Sequence, residues 1–255
     1  MDPVTPAPEI PVELREVRKS FGDKPVLQGV SLALRKGTTL AVMGGSGAGK
    51  TVLLRITDGL IRPDAGEVTL FGTHIERMRE EAILPLRKRA GFVFQGAALF
   101  DSLSVFENVA FPLREHTSMS LGEITDRVHR SLSVVGLPGV DDLLPAELSG
   151  GMRKRVGIAR ALVLEPEVVF FDEPTAGLDP TTARLVAELM ASLRSGVCDT
   201  AIVVTHDIDF ANMIADQMAI LHQGRIADMG TPAEMRASSN PDVRRFLAGE
   251  LREGS

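Results

Sequence analysis

The chain of 255 residues is 44% hydrophobic and carries 28 basic against 34 acidic side chains, a formal net charge of −6. The apolar fraction is ample for a buried core, and the length fits one large domain or two small ones. The acidic balance argues against nucleic acid as the main partner, since nucleic-acid-binding proteins usually carry a basic excess. A lone cysteine, Cys198, excludes a disulfide scaffold and a cysteine-rich zinc site and indicates a reducing compartment.

No run of residues approaches the roughly 20 apolar positions that a transmembrane helix needs. The strongest apolar runs, such as Val168–Phe171, are as short as strands and are flanked by charge. Residues 1–11 are acidic and rich in proline, with neither a basic start nor an apolar centre, so they predict a short extended leader and not a signal peptide. The composition predicts a soluble intracellular protein, so that any membrane role comes through a partner.

The first part of the chain, residues 12–94, opens with short strand-like segments separated by turns. Within it, Thr38–Met43 is an apolar run that leads directly into glycines, and Thr51–Leu60 predicts a helix. Residues 95–164 are mostly helical. Their apolar side chains recur at spacings of three and four, which gives an amphipathic stripe of Leu121, Ile124, Val128, Leu132 and Val135.

From residue 165 strands and helices alternate. Val168–Phe171, Ala201–Thr205 and Met218–Leu221 predict strands, with a leucine-rich helix between the first two. Apolar strands that alternate with helices predict a parallel sheet covered on both faces. The expected domains are an α/β core with a β subdomain in residues 12–94 and 165–232, a helical subdomain in 95–164, and a helical tail in 233–255.

A glycine-rich loop follows the first apolar strand. From Gly44 it reads GGSGAGKT, a full match to G-x-x-x-x-G-K-[ST]. Glycines let backbone N–H groups converge on phosphate oxygens, and the next helix directs the positive end of its dipole at them. Lys50 is expected to reach the β- and γ-phosphates and Thr51 to ligate Mg²⁺. A plain glycine turn is disfavoured by the strand before it and the helix after it. The predicted binding residues here are Gly44, Gly45, Ser46, Gly47, Ala48, Gly49, Lys50, Thr51 and Val52.

A pair of carboxylates supplies the second half of this site. The apolar run VVFF is followed at once by Asp172 and Glu173, at the carboxyl edge of the predicted sheet, where α/β folds bind ligands. Asp172 is suited to hold Mg²⁺, directly or through water, while Glu173 polarises a water molecule. Taken alone, an apolar run that ends in Asp-Glu is a common strand end, and the glycine loop is what makes the functional interpretation strong.

A third motif names a family. Leu148–Met152 reads LSGGM and lies some two dozen residues before the carboxylate strand. With it the sequence resembles the nucleotide-binding subunit of ABC transporters over nearly the whole chain. Further motifs of that family appear in order at Phe21 (A-loop), Gln95 (Q-loop), Ala176–Asp179 (D-loop) and His206 (switch histidine). The resemblance implies a P-loop NTPase fold with a RecA-like parallel core sheet, an N-terminal antiparallel β subdomain and an inserted α-helical subdomain.

The resemblance also implies the residue roles. Glu173 acts as general base, assisted by His206, Lys50 and Gln95, in transferring the γ-phosphoryl group of ATP to water. Phe21 stacks on adenine, for which simple packing of an aromatic in a hairpin is the alternative. Mg²⁺ is held by Thr51, Gln95 and Asp172.

The signature motif implies a need for two copies of the chain. Ser149, Gly150 and Gly151 open a helix and so form an anion site of backbone donors. In this family that site, with the nearby Asp179, faces the γ-phosphate held by the other subunit, so that two chains enclose two ATP molecules. The basic run that follows, residues 153–155, is expected to be a solvated helix face and not a nucleic-acid site.

At finer resolution the chain is similar to the ATPases of MCE-type lipid transporters, the Mla-like phospholipid systems. This rests on the segments QGAALF, FENVAFPLREHT, LSGGMRKR and NPDVRRFL, which begin at Gln95, Phe106, Leu148 and Asn240. The resemblance implies an integral membrane permease, a periplasmic MCE-domain lipid-binding protein and, in some relatives, a small STAS-domain subunit. It places the chain on the cytoplasmic face of the inner membrane, bound peripherally through the permease, with an apolar stretch around Phe100 and Phe111 to receive it.

Other classes stay open but are less well supported. The ATPase of another solute's transporter, such as an amino acid importer, is disfavoured by Met152 and by the segment from Phe106. A DNA-repair or chromosome ATPase would insert long coiled coils, and the interval between Thr51 and Val168 shows no sustained heptads. A translation factor would carry two cassettes. A binding-only module is unsupported because the catalytic residues are all present together.

Overall fold

The computed structural model describes residues 9–194 and 196–250. Residues 1–8 of the predicted leader and 251–255 of the predicted tail lie outside the described residues. The strands are β1 Val12–Phe21, β2 Lys24–Leu34, β3 Thr39–Met43, β4 Ala65–Leu70, β5 Thr73–His74, β6 Ala90–Val93, β7 Val168–Asp172, β8 Ala201–Thr205, β9 Gln217–His222 and β10 Arg225–Gly230. The helices are α1 Lys50–Thr57, α2 Glu80–Arg87, α3 Val105–His116, α4 Leu121–Val134, α5 Gly150–Leu162, α6 Pro180–Leu193, α7 Ile208–Ile214, α8 Pro232–Ala237 and α9 Pro241–Leu247.

The strands form two sheets. An antiparallel sheet of four strands has the order β2-β1-β4-β5, and a core sheet of six has the order β10-β9-β3-β8-β7-β6. In the core sheet β6, β7, β8, β3 and β9 run parallel, and β10 pairs with β9 in the antiparallel sense. The predicted fold class, with its parallel core and N-terminal antiparallel sheet, is confirmed.

The core sheet is buried on both faces, which explains why its strands read as continuous apolar runs. Alternate residues of β7 enter different clusters: Val169 and Phe171 pack with the helical segment, and Val168 and Phe170 pack with the antiparallel sheet and α1. Strands β3, β7 and β8 have five residues each, and all of these residues are buried. Because these strands are parallel and adjacent, their carboxyl ends meet at one edge, where the loops that follow them lie side by side.

Helices α3, α4 and α5 fill the segment between β6 and β7. Their apolar stripes meet in one cluster, in which Ile124, Val128 and Leu132 of the predicted amphipathic helix are all buried. Capping boxes at Ser104 and Ser120 fix the starts of α3 and α4, since each serine exchanges hydrogen bonds with a glutamate three residues on. None of the helices in the described part of the chain is long and apolar enough to cross a membrane.

The C-terminal helices pack on the core sheet. Met235, Val243 and Phe246 join Met43 and Ile220 in a third cluster. The predicted break at Asn240-Pro241 separates α8 from α9, where Asn240 caps the second helix and proline takes its first position.

Candidate nucleotide site

The glycine loop joins β3 to α1 by a tight backbone path. A Cβ on Gly44 would lie 2.4 Å from the carbonyl oxygen of Leu221, and Gly49 has a φ of 101°, a left-handed conformation that favours glycine. Gly49 occupies the cap position of α1 without a side-chain cap. The first backbone N–H groups of α1 therefore point into the loop without a side-chain acceptor at the cap, an arrangement that suits a phosphate.

Lys50 lies under this loop as a buried ammonium group. Its Nζ donates to the carbonyl oxygens of Gly44 at 2.9 Å and Gly45 at 3.1 Å, and it lies 3.3 Å from Oε1 of Glu173. The Lys50 and Glu173 side chains are only 8% and 10% exposed. A buried charge pair of this kind has little competition from water, so each group fixes the position of the other.

Thr51 and Asp172 come together from two elements. The Thr51 hydroxyl, in the first turn of α1, donates to Oδ1 of Asp172, the last residue of β7, at 2.8 Å. Burial raises the pKa of the Asp172 carboxyl above its ordinary value, and the hydrogen bond from Thr51 opposes that shift. A hydroxyl beside a carboxylate is a set of hard oxygen donors, so these residues fit a small divalent cation.

Glu173 lies between Lys50 of the glycine loop and His206, the predicted switch histidine. Its Oε2 lies 2.9 Å from Nδ1 of His206, which follows β8. The backbone of Glu173 has a φ of 47°, which is uncommon for a residue with a Cβ, and its N–H donates to the Val204 carbonyl at 2.9 Å. A carboxylate held in a sparsely populated backbone conformation is a feature found at functional sites.

One cavity of about 840 Å³ opens over these groups. The predicted residues that line it are Phe21, Gly45, Ser46, Gly47, Gly49, Lys50, Thr51, Val52, Gln95, Glu173 and His206. Gly44, Ala48 and Asp172 do not line it, but each bonds to a residue that does. Phe21, at the end of β1, is 50% exposed, so part of its ring is accessible to a planar ligand.

The signature residues lie elsewhere: Ser149, Gly150, Gly151 and Asp179 are absent from the lining of this cavity. Ser149 caps α5 and accepts from the N–H of Met152 at 3.2 Å, while Asp179 caps α6. The two helix starts are packed together, since a Cβ on Gly151 would lie 2.3 Å from Cγ2 of Thr182. Ser149 and Asp179 are exposed to solvent.

Sequence reasoning missed several residues at this site. Lys24, Val26, Ile208, Phe246 and Gly249 also line the cavity, and the last two bring the C-terminal segment to its wall. The side chains converge only through the tertiary fold.

The expectation of a solvated face at residues 153–155 is wrong for Lys154, which is 6% exposed. Its Nζ donates to the backbone carbonyls of Gln95 and Glu173. The spacing held a signal for this, because Lys154 lies three residues after the buried Gly151 and four before the buried Ile158, on one helix face. Burial lowers the pKa of this ammonium, and the neighbouring carboxylates of Asp172 and Glu173 act in the opposite direction.

A glycine loop between a buried strand and a helix, with its lysine beside carboxylates at the end of β7, two strands away in the same sheet, defines a P-loop nucleoside triphosphatase. The antiparallel sheet and the helical segment between β6 and β7 narrow this class to ATP-binding cassettes. A family model described as "ABC transporter" matches residues 27–176. The chain belongs to this family and is an ATP-binding, ATP-hydrolysing subunit, as the sequence motifs predicted.

Known proteins resemble the chain over most of its length. "Protein TRIGALACTOSYLDIACYLGLYCEROL 3, chloroplastic" of Arabidopsis thaliana is 43% identical over 95% of this chain and 75% of that relative. "Intermembrane phospholipid transport system ATP-binding protein MlaF" of Escherichia coli K12 is 41% identical over 93% of this chain and 88% of that relative. The solved structure titled "Dimeric structure of a post-hydrolysis state of the ATP-binding cassette MJ0796 bound to ADP and Pi" is 31% identical, with a TM-score of 0.79 over 87% of this chain and 98% of that one. The resemblance to Mla-like ATPases is confirmed.

Proposed function

We propose that this chain is the ATPase of an ABC transporter that moves phospholipids, and that two copies hydrolyse ATP at shared sites. The observation that carries the catalytic part is the position of Glu173, whose two carboxylate oxygens lie 3.3 Å from Lys50 and 2.9 Å from His206 inside the cavity. The lipid assignment is supported by the similarity to MlaF, which is named for intermembrane phospholipid transport.

The chain's own groups account for binding. The backbone N–H groups of the glycine loop and the Lys50 ammonium hold the β- and γ-phosphates, and Phe21 stacks on adenine. Thr51, Gln95 and Asp172 would hold Mg²⁺, which would neutralise charge on the phosphate oxygens. Gln95 belongs to this set because it lines the same cavity as Thr51.

In the chemical step Glu173 accepts a proton from the attacking water. His206 lies beside this carboxylate, with Nδ1 2.9 Å from Oε2, and we assign to its ring a hydrogen bond to the γ-phosphate. Lys50 stabilises the negative charge on the transferred group from a site that excludes most solvent. The Glu173 carboxylate is pre-positioned because its backbone is tied to β8 through Val204.

The second copy supplies what the first lacks. Ser149, Gly150, Gly151 and Asp179 lie outside the chain's own cavity, and Ser149 and Asp179 are exposed, so they are free to close the cavity of a partner. The dimeric structure of MJ0796 supports this arrangement. Two identical chains related by a two-fold axis would each complete the other's site.

We place the dimer at the cytoplasmic face of the inner membrane, bound to integral permease subunits. The further partner that the sequence resemblance implies is a periplasmic MCE-domain protein, joined in some relatives by a small STAS-domain subunit. On this chain the helical subdomain, residues 95–164, offers an apolar contact: Phe100 and Phe111 are 45% and 39% exposed, and their ring centroids lie 5.0 Å apart. Paired exposed aromatics are typical of a surface that another protein covers.

Replacement of Glu173 by glutamine tests the catalytic proposal. The variant loses the base but keeps the phosphate cradle, so we expect kcat to fall by at least ~100-fold while ATP affinity is retained. With ATP the variant should accumulate as a closed dimer on size-exclusion chromatography. Glu188→Gln is the matched control, because Glu188 lies exposed on α6, where it pairs with Arg184. Normal turnover by Glu173→Gln would contradict the assigned role.

Purification of the chain from native membranes tests the lipid proposal. We expect mass spectrometry of the bound material to find a permease, an MCE-domain protein and phospholipid. Recovery of an amino acid permease instead would overturn the lipid branch while leaving the ATPase assignment intact.

A further inference from the structure

Lys154 does not line the cavity, but it donates hydrogen bonds to two backbone segments of the nucleotide site. It lies on α5, five residues after the signature serine Ser149, and is 6% exposed. Its Nζ donates to the carbonyl oxygen of Gln95 and, at 3.2 Å, to that of Glu173. One buried ammonium group therefore joins the helix that starts at the signature motif to the backbones of two residues that line the cavity.

The backbone segments that Lys154 holds have uncommon conformations. Glu173 has a φ of 47°, and its carbonyl oxygen accepts from Lys154 and from the N–H of Ala176. After Gln95, Ala97 and Ala98 have φ values of 62° and 48°. Conformations of this kind persist only where surrounding contacts hold them in place.

We propose that Lys154 is a positioning residue that holds the Glu173 backbone and the Gln95 loop in their working positions and couples them to the signature helix. This inference rests on the proposed function of Glu173. Because α5 is continuous from Gly150 to Leu162, a displacement of its signature end on contact with a partner's ATP reaches Lys154 within about one and a half turns. The bond to Glu173 then transmits that displacement to the catalytic carboxylate.

The test uses the full chain in its co-purified membrane complex, with Lys154→Met compared with Arg155→Gln. Arg155, the next residue of α5, also donates to backbone carbonyls, but these belong to Val135 and Gly136, away from the cavity. For Lys154→Met we expect kcat to fall at least tenfold, while KM and the affinity for a fluorescent ATP analogue change less than twofold. For Arg155→Gln we expect kcat to stay within twofold of the unmodified protein.

Hydrogen exchange gives a readout that does not depend on turnover. In Lys154→Met the amides of residues 95–98 and of residues 173, 175 and 176 should exchange faster, with no change around Gly136. In Arg155→Gln the amides around Gly136 should exchange faster, with no change at the other two segments. Equal exchange at residues 173–176 in the unmodified protein and Lys154→Met would overturn the inference.

A double variant separates positioning from general loss of structure. If Lys154 acts through Glu173, adding Lys154→Met to Glu173→Gln should lower the residual kcat by less than twofold. A further tenfold loss in the double variant contradicts action through Glu173, and an unchanged kcat in Lys154→Met alone contradicts the proposal as a whole. Should Lys154→Met fail to bind nucleotide, Lys154→Gln, which keeps one donor group, is measured by the same criteria. Absence of ATP hydrolysis by the unmodified complex would instead contradict the proposed function.

Discussion

The glycine-loop cavity and the signature edge, the surface formed by Ser149, Gly150, Gly151 and Asp179, differ in how far each is completed within one chain. At the cavity Lys50 and Glu173 are buried and bonded to each other, and the groups converge from the ends of β3, β7 and β8. At the signature edge Ser149 and Asp179 are exposed, and each accepts hydrogen bonds from the first turn of its own helix. Under the proposed function, this contrast predicts that one chain suffices to bind ATP, whereas hydrolysis needs the edge of a second chain.

The largest effect on the cavity is expected from a change at Lys50. Lys50→Ala removes the buried ammonium that we assign to the phosphates, and we expect ATP affinity to fall by about 100-fold, or about 2.8 kcal/mol. Isothermal titration with ATP measures this, and circular dichroism verifies the fold. Lys36→Ala is the control, because Lys36 is exposed and pairs with Glu9 at 2.8 Å, outside the cavity. Unchanged ATP affinity in Lys50→Ala would contradict the assignment of the phosphate site to this loop.

A change at the signature edge should lower turnover and leave ATP binding by a single chain unchanged. Ser149→Ala leaves the cavity untouched, so we expect ATP binding by a single chain to be unchanged while kcat falls about tenfold, the loss of roughly one charge-assisted hydrogen bond. The trapped dimer of Glu173→Gln should also dissociate more readily when Ser149→Ala is added. Steady-state kinetics and analytical ultracentrifugation measure the two effects.

Ser120→Ala provides the matched control for that experiment. Ser120 caps α4 as Ser149 caps α5, so both variants lose about 1 kcal/mol of stability with the cap. Only Ser149→Ala should lose turnover. Equal kinetics in the two variants would reduce Ser149 to a helix cap and would remove the reason for a composite site.

The same two regions explain how much the sequence could predict. The glycine loop, Asp172 and Glu173 were predictable because local rules fix them: a short apolar strand, glycines where the backbone needs them, and carboxylates at the strand's end. Apolar spacing predicted a helix over Thr51–Leu60, but helix α1 runs from Lys50 to Thr57. It ends earlier because the backbone turns at Gly59, which has a φ of 71°. Helix boundaries depend on such end conformations more than on periodicity.

Other features depend on distant parts of the chain and carried weak local signals. Lys154 belongs to a basic run, and charge runs are usually solvated, yet two backbone carbonyls from separate loops bury its ammonium. Phe246 reaches the cavity wall because α9 packs on Met43 and Ile220 of the core sheet. Helix α2, with Pro85 inside it, had no predicted counterpart, since a proline normally argues against a helix.

The smallest expected effect lies at the rim of the cavity, at Phe21. Its ring is half exposed and has Lys19 Nζ 5.5 Å from its centroid, so stacking on adenine should contribute about 1 kcal/mol. Phe21→Ala is then expected to weaken ATP binding about fivefold and to leave the affinity for inorganic tripolyphosphate, which has no base, unchanged. Phe111→Ala, which removes an exposed ring from the helical subdomain, should alter neither. Equal weakening of both ligands in Phe21→Ala would mean that the residue supports the β1–β2 hairpin beside the loop, and that adenine is held by other groups.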